Sequence, residues 1–197
     1  MPYSSTHKEK TRTRIVEVAR TLFNIHGFHG VTIDMVMAKA GLTRGGFYNH
    51  FSTKEDLFCA AVSSFLMGRG ARWRHEAGIN AMNPDSEAAL QMIQSYLSDA
   101  HLGAVQDQCP MIALPSDVAR ASPEVRAAFQ QLLTAMVGLL QRSLLQQEDP
   151  QARQKAMAMA ALCVGGMVLA RTLPECELAT EIRSAALQTA TAMTSSS

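Results

Sequence analysis

The chain is poor in the groups that staple or metallate small proteins. Its four cysteines, Cys59, Cys109, Cys163 and Cys176, stand 50, 54 and 13 positions apart, which gives neither a CxxC metal pair nor a dense disulfide framework. A reducing cytoplasm is the plain expectation, with no metal and no cofactor. Aromatic residues are scarce at 6% against an apolar fraction of 47%, so the core is aliphatic and disorder is confined to the ends. The longest uncharged apolar run, 156–170, is shorter than the roughly 20 residues that a bilayer requires, and no membrane segment is expected. The polar, basic start MPYSSTHKEKTRTR has no apolar stretch after it and does not read as a signal peptide. HExxH, GxSxG, a Walker glycine loop and paired Cys/His clusters are all missing, and His50 and His101 have no evident partners. No catalytic residue is predicted, and an enzyme is the reading these absences disfavour.

Net charge is also nearly absent, at +1, which at first argues against nucleic acid. Divided at Asp56, however, the first part holds eight Lys or Arg against five Asp or Glu and the rest ten against twelve, so a modest positive excess is N-terminal. That part contains TIDMVMAKAGLTRGGFYNHF, residues 32–51. Thr32 is placed to N-cap a helix whose apolar positions Ile33, Val36, Met37 and Ala40 recur at helical spacing, and Val31 can staple onto Val36. Gly41 ends that helix with a left-handed residue, and Thr43 opens another two positions later. This is the grammar of a helix-turn-helix. The second helix carries Arg44, Gly45 and Gly46 where a core helix would hold bulk, and small residues let a backbone approach something closely.

Thr32, Ala38, Ala40-Gly41, Thr43-Arg44-Gly45, Phe47-Tyr48, His50-Phe51 and Lys54-Glu55-Asp56-Leu57 together resemble the TetR family of bacterial transcriptional regulators, over about the first quarter to third of the chain. The resemblance implies an all-α protein: a three-helix DNA-binding domain, drawn here as 1–52, and a larger helical domain, 53–197, that binds an effector and dimerises. It also implies a homodimer on double-stranded operator DNA, repression, and a small-molecule pocket whose occupancy changes the spacing of two DNA-reading heads.

A major groove admits one helix whose N-terminal side chains meet base edges. Arg44 is the one long charged side chain there, able to bond O6 and N7 of guanine together. Gly45 and Gly46 let it come near. Thr32 and Thr43 sit at helix N-termini suited to phosphate oxygens. Tyr48, His50 and Lys54 match family positions that contact the DNA backbone; Tyr48 and His50 also admit a purely structural reading. Asn49 reads adenine or faces water. Phe47 and Phe51 are core. Upstream, Thr6 and Glu9 suggest a capping box for a support helix bearing Ile15, Val18, Ala19, Leu22 and Phe23 until Gly27 stops it. Its Lys8, Lys10, Arg12 and Arg14 are either a solvated basic end or an arm toward phosphates.

Beyond the motif, Ser52 and Glu55 suggest a second capping box, opening a linking helix that runs through Leu57, Phe58, Ala61, Val62, Phe65 and Leu66 toward Trp73. Further helices are expected at about 85–103, 109–120, 122–147, 151–172 and 175–193. The third has Ser122 as cap, Pro123 in the first position and a face from Val125 through Phe129, Leu132, Leu133, Met136 and Leu140 to Leu144. Residues 156–170 are apolar nearly all round, so they need cover on more than one side. Gly165-Gly166 costs about 1 kcal/mol per residue in a helix interior and suggests a close helix approach. A symmetric four-helix interface of two protomers follows, with Met159, Gly165, Gly166, Leu178, Ile182 and Ala186 in it.

Twelve methionines, many in this second part, suit either an irregular apolar cavity or ordinary core. Trp73, Tyr96, Cys109, Met111, Phe129, Met136 and Cys163 are the expected lining for an apolar or weakly polar effector. Cys109 also sits at a loop-to-helix junction, where free N–H groups would lower a thiol pKa. An electrophile or redox sensor is therefore one alternative, and a buried inert thiol the other. A small-molecule-binding protein without DNA binding is the reading from a different class.

Overall fold

A computed structural model describes residues 5–146 and 148–194. The first residues of the basic N-terminal stretch, and Gln147 at the end of the expected 122–147 helix, lie outside the described residues. Among those described the fold is all-α, without strands: α1 (Ser5–Gly30), α2 (Ile33–Lys39), α3 (Arg44–Phe47), α4 (Lys54–Met67), α5 (Arg69–Glu76), α6 (Ala88–Tyr96), α7 (Asp99–Gly103), a 3-10 turn (Val105–Asp107), α8 (Pro110–Ala113), α9 (Pro115–Ala119), α10 (Pro123–Leu145), α11 (Ala152–Thr172) and α12 (Glu177–Ala192).

The N-terminal head forms around α1. Gly27, at φ 69° and ψ 175°, breaks the helix so that Phe28 folds back over Phe23 and Phe58. Ile15, Ala19 and Phe23 are fully buried against Val31, Val36, Phe47 and Phe58. Thr6 lies inside α1 rather than ahead of it, so the Thr6/Glu9 box is not the helix start. The box before α4 is displaced by one residue: the Thr53 hydroxyl accepts from Asp56 N–H and the Asp56 carboxylate accepts from Thr53 N–H, leaving Ser52 and Glu55 out. Glu55 instead accepts from the backbone N–H of Ser122 at 3.1 Å.

The linking helix is not continuous. Gly68, with φ −97° and ψ −110°, separates α4 from α5, and a methyl at Gly70 would meet the Phe65 ring and carbonyl at 2.7 Å. The expected 85–103 helix likewise breaks before Ser98, whose hydroxyl caps α7, and 109–120 breaks at Leu114, ahead of Pro115. Pro115 has no N–H to continue the hydrogen-bond ladder and so takes the first position of α9.

The body stacks α4 on α10, α10 on α11 and α11 on α12. Helix α11, at 21 residues, is long and apolar enough by length and composition alone to cross a membrane, a longer stretch than the uncharged run 156–170. Its flanks are occupied within the fold by α10 and α12. That placement corrects half of the expected interface, since Met159, Gly166 and Ala186 are buried inside one protomer. A methyl on Gly166 would lie 2.7 Å from Ala186 Cβ, so the close helix approach exists but joins α11 to α12 of the same chain. Gly165, Leu178 and Ile182 face outward or lie half-buried, and no atom stands within 4 Å of a methyl built on Gly165.

Candidate DNA-reading head and ligand cavity

Thr32 caps α2, accepting from Met35 N–H at 3.2 Å. Gly41 takes φ 65° in the turn, and Thr43 is the N-cap of α3 without a side-chain capping bond. Phe47 and Phe51 are buried and hold α3 on the head. The other side of α3 presents Thr43, Arg44, Gly45, Tyr48 and Asn49 to solvent. A methyl on Gly45 would meet nothing within 4 Å, and one on Gly46 only ordinary contacts with Met37 and Thr43. Packing within the protein therefore explains neither glycine, and the bare ridge is available to an external surface.

Arg44 is not idle in this state. Its Nη1 lies 2.5 Å from Asp34 Oδ2 on α2, with side chains 62% and 57% exposed. Such a pair is worth roughly 0–1 kcal/mol in water, so DNA can compete for the guanidinium at little cost. Lys54, expected at the DNA backbone, has partners within the head. Its Nζ donates to the carbonyls of Phe28 and Val31, both at 3.0 Å, and rests 4.2 Å from the Phe28 ring centroid. Those carbonyls are freed where α1 ends, and Lys54 closes them, tying the start of α4 to the head. The ammonium is first a structural tether.

A concavity of about 580 Å³ lies between α1 and the 42–50 segment that contains α3, lined by His7, Lys8, Thr11, Leu42, Gly46, Asn49 and His50. The basic residues of early α1 thus converge on the reading segment: Lys8 and Arg12 act on His50, and Arg12 also stacks over Phe51 at 4.7 Å. Burial, then Lys8 and Arg12, hold the His50 pKa below its ordinary value. Its Nδ1 is buried without a partner. His7, Thr11 and Leu42 were missed from the sequence; the four-residue spacing of His7 and Thr11 was the available signal.

The second cavity, about 740 Å³, lies in the body. Trp73, Tyr96, Cys109, Met111 and Met136 line it, as expected; Phe129 and Cys163 do not. Phe129 sits N-terminal to the part of α10 that faces the cavity, and Cys163 is buried behind Tyr96. Burial pushes the Cys163 thiol up to about 12. The Cys109 thiol is pushed up to about 11, because burial outweighs the backbone N–H of Met111, the Tyr96 hydroxyl and Arg74. The free N–H expected at this junction is present and is outweighed. Burial and the raised pKa both disfavour the thiolate form at Cys109.

Between head and cavity runs a polar bridge that sequence reasoning missed. Arg20, on α1 and 4% exposed, donates to Gln106 O at 3.1 Å and Asp107 Oδ1 at 2.9 Å. Asn24, one turn on, donates to Gln106 O at 3.1 Å and Gln108 O at 2.8 Å. Arg171 of α11 clamps both sides, donating to Gln108 Oε1 and, at 2.5 Å, to Asn24 O. Gln108 in turn donates to the carbonyls of His101 and Leu102. His101 faces the cavity with Nδ1 2.8 Å from Tyr96 O and Nε2 3.5 Å from Cys109 N. That pattern requires a neutral ring with the proton on Nδ1, in accord with a pKa lowered chiefly by burial. Arg20 and Asn24, polar and four apart on a helix that otherwise buries apolar residues, were the visible clue.

A helix-turn-helix head with an exposed second helix, carried on an all-α body with its own cavity, is the arrangement of a DNA-binding transcriptional regulator. Residues 15–61 match the family described as bacterial regulatory proteins, tetR family, and residues 86–190 match the C-terminal domain of LmrA/YxaF-like transcriptional regulators. The chain belongs to the TetR family, whose members are transcriptional regulators and not enzymes. Curated relatives include the uncharacterized HTH-type regulator YfiR of Bacillus subtilis, 30% identical over 95 residues (47% of this chain, 42% of YfiR). The HTH-type repressor AcnR of Corynebacterium diphtheriae is 40% identical over 57 residues (29% and 30%), and the regulator UidR of Escherichia coli 34% over 102 residues (51% and 48%). The chain thus spans about half or less of the curated relatives it matches. Solved structures agree over nearly the whole fold: NemR of E. coli in its reduced form (TM-score 0.75, 19% identity, 92% of this chain and 95% of that one) and a TetR regulator from Chloroflexus aurantiacus (0.76, 20%, 93% of each).

Proposed function

We propose that this protein is a cytoplasmic, homodimeric repressor whose heads, residues 1–52, bind a palindromic operator and whose body, 53–197, releases it on binding a small, largely apolar effector. The observation that carries the reading is the polar bridge. Arg20 and Asn24 of the DNA head hold the 106–108 backbone, and the next residue, Cys109, lines the 740 Å³ cavity. A ligand that moves the Tyr96–His101–Cys109 wall displaces the segment on which α1 rests. Because an effector shifts an equilibrium only by its differential affinity for the two states, the bridge supplies the element that both sites bias.

On the DNA, Arg44 leaves Asp34 to read a base, Gly45 and Gly46 permit the approach, and Thr32, Thr43, Tyr48, Asn49 and His50 surround it with donors toward the backbone. The double glycine leaves few other base contacts, so DNA shape contributes a large share of specificity. The dimer forms over the outward strip of Gly165, Leu169, Leu178 and Ile182, which leaves Leu169 and Leu178 half-exposed in the lone protomer. The test is selection of bound DNA from a random pool, followed by gel shift on DNA upstream of the protein's own gene. A palindromic motif with half-sites about one helical turn apart or slightly more is the expected product; a protein that selects no motif refutes the proposal. Sensing through Cys109 is the disfavoured alternative. Iodoacetamide under native conditions should label exposed Cys176 ahead of buried Cys109; preferential labelling of Cys109 would revive it.

A further inference from the structure

We infer that the effector is an amphipathic carboxylate: an apolar body that fills the cavity and one anionic end held by Arg74. This rests on reading the cavity as the effector site. The wall carries two guanidiniums, Arg74 and Arg142, and not one Asp or Glu among the described residues. Neither arginine has a carboxylate partner among the described residues. Arg74 is the deeper of the two. It is half-buried on α5, spends one N–H on Leu66 O at 2.7 Å, and its charged form is disfavoured by burial. A guanidinium has five N–H donors in a planar fork that matches a carboxylate, so most of that donor set is unspent. Arg142, exposed at the end of α10, donates once to Ala81 O at 2.8 Å and stands at the rim.

Even half-buried, a cation without an anion bears a desolvation cost that an anionic ligand offsets. Other polar groups at this wall point the same way. The Tyr96 hydroxyl is fully buried, lies against the Cys109 thiol and has no nitrogen or oxygen partner. Turned from that sulfur, it can donate to the second carboxylate oxygen. His75, Asn80 and His101 add neutral polar edges, and the rest of the surface is largely apolar, with Met92, Met111, Leu132, Met136 and Leu139. Trp73, packed edge-on to Tyr96 at 6.0 Å and tilted over His101 at 5.3 Å, closes the wall beside the arginine. Methionine and leucine accept aliphatic or aromatic bodies alike, so the head group is the specific element. An amine would face two like charges, and a neutral molecule would leave the Arg74 fork uncompensated.

The experiment compares matched pairs on the full-length protein: decanoate against decanamide, and 4-butylbenzoate against 4-butylbenzamide, all below their aggregation limits. Trp73 is the only tryptophan and lines the cavity, so its fluorescence reports occupancy, with calorimetry as the second readout. Each acid should bind about tenfold tighter than its amide, the advantage of a charge-assisted bidentate contact over a neutral one. Arg74→Gln should bring that ratio to about one while leaving amide binding unchanged, and Arg74→Lys should keep part of it. Equal binding of acid and amide, binding of neither acid, or a tenfold ratio that survives Arg74→Gln overturns the inference. The wild-type comparison stands without any variant. Gel shift with the selected operator is read separately: an acid that occupies the cavity without releasing DNA refutes the effector reading and leaves the ligand class intact.

Discussion

Alanine at Gly166 sets two effects of known size against each other. Replacing a glycine inside a helix restores about 1 kcal/mol of backbone entropy and propensity. Against that, the new methyl would lie 2.7 Å from Ala186 Cβ and 3.4 Å from Leu97 Cδ2. The first contact is about 0.7 Å short of the 3.4 Å at which ordinary packing begins, and Ala186 Cβ has no rotamer by which to yield. Helices α11 and α12 must separate, and overpacking of this kind costs about 1–3 kcal/mol. The net is a loss of roughly 0–2 kcal/mol, or about 2–4 °C in Tm for each kcal/mol at this chain length. Gly165 is the internal control, since its methyl meets nothing within 4 Å. In dilute protein Gly165→Ala keeps the propensity gain and should melt at or above the parent, with Gly166→Ala below it. Thermal unfolding by circular dichroism over a concentration series checks the order, because a dimer makes Tm concentration-dependent. At high concentration Gly165→Ala should lose its advantage as the proposed interface closes over it. If Gly166→Ala melts as high as Gly165→Ala in dilute solution, the α11–α12 crossing is wrong.

Arg44→Ala should cost about 1–3 kcal/mol on the operator and little on random DNA, whereas Asp34→Asn, by freeing Arg44 and removing a negative charge from the reading face, should tighten both; fluorescence anisotropy on the two DNAs decides, and equal losses for Arg44→Ala on both would remove it as a reader. Lys54→Met should act mainly on folding, losing about 1–3 kcal/mol in urea titrations because two carbonyls lose their donor, with the salt slope of DNA binding changed by less than one phosphate contact; a full unit of slope with unchanged stability would restore Lys54 to the DNA. His101 gives a pH dependence. Its folded pKa is depressed, so its contribution to stability is complete above the ordinary value of about 6.5 and is lost as pH falls toward the folded value, where the unfolded chain binds the proton more readily. Urea midpoints between about pH 5 and 7.5 should fall on the acid side for the parent and fall less for His101→Gln; parallel profiles would exclude His101 as the source.

The reading motif was legible because its chemistry is local. A threonine before an apolar run, a glycine in the left-handed region and a second threonine specify two helices and a turn from neighbours alone, and the structure keeps Thr32, Gly41 and Thr43 in those roles. Local chemistry also has a resolution limit. Ser52 with Glu55 and Thr53 with Asp56 satisfy the same capping pattern one residue apart, and the backbone chose the second. A lone glycine in a helical pattern is ordinarily tolerated, yet Gly68 separates α4 from α5.

By itself, the sequence determined the all-α class, the helix-turn-helix and five of the residues that line the cavity, because periodicity and capping are properties of residues a few positions apart. Tertiary structure alone decided how the long polar side chains are used. Arg44 pairs with Asp34, Lys54 ties α4 to the end of α1, and Arg20, Asn24 and Arg171 converge on Gln106–Gln108. A flexible side chain reaches partners separated by up to 147 positions, and no spacing in the chain encodes which buried carbonyl it will find. The same reason moved Met159, Gly166 and Ala186 from the expected interface into the protomer: an apolar face records that it must be covered, and only the packed fold records by what.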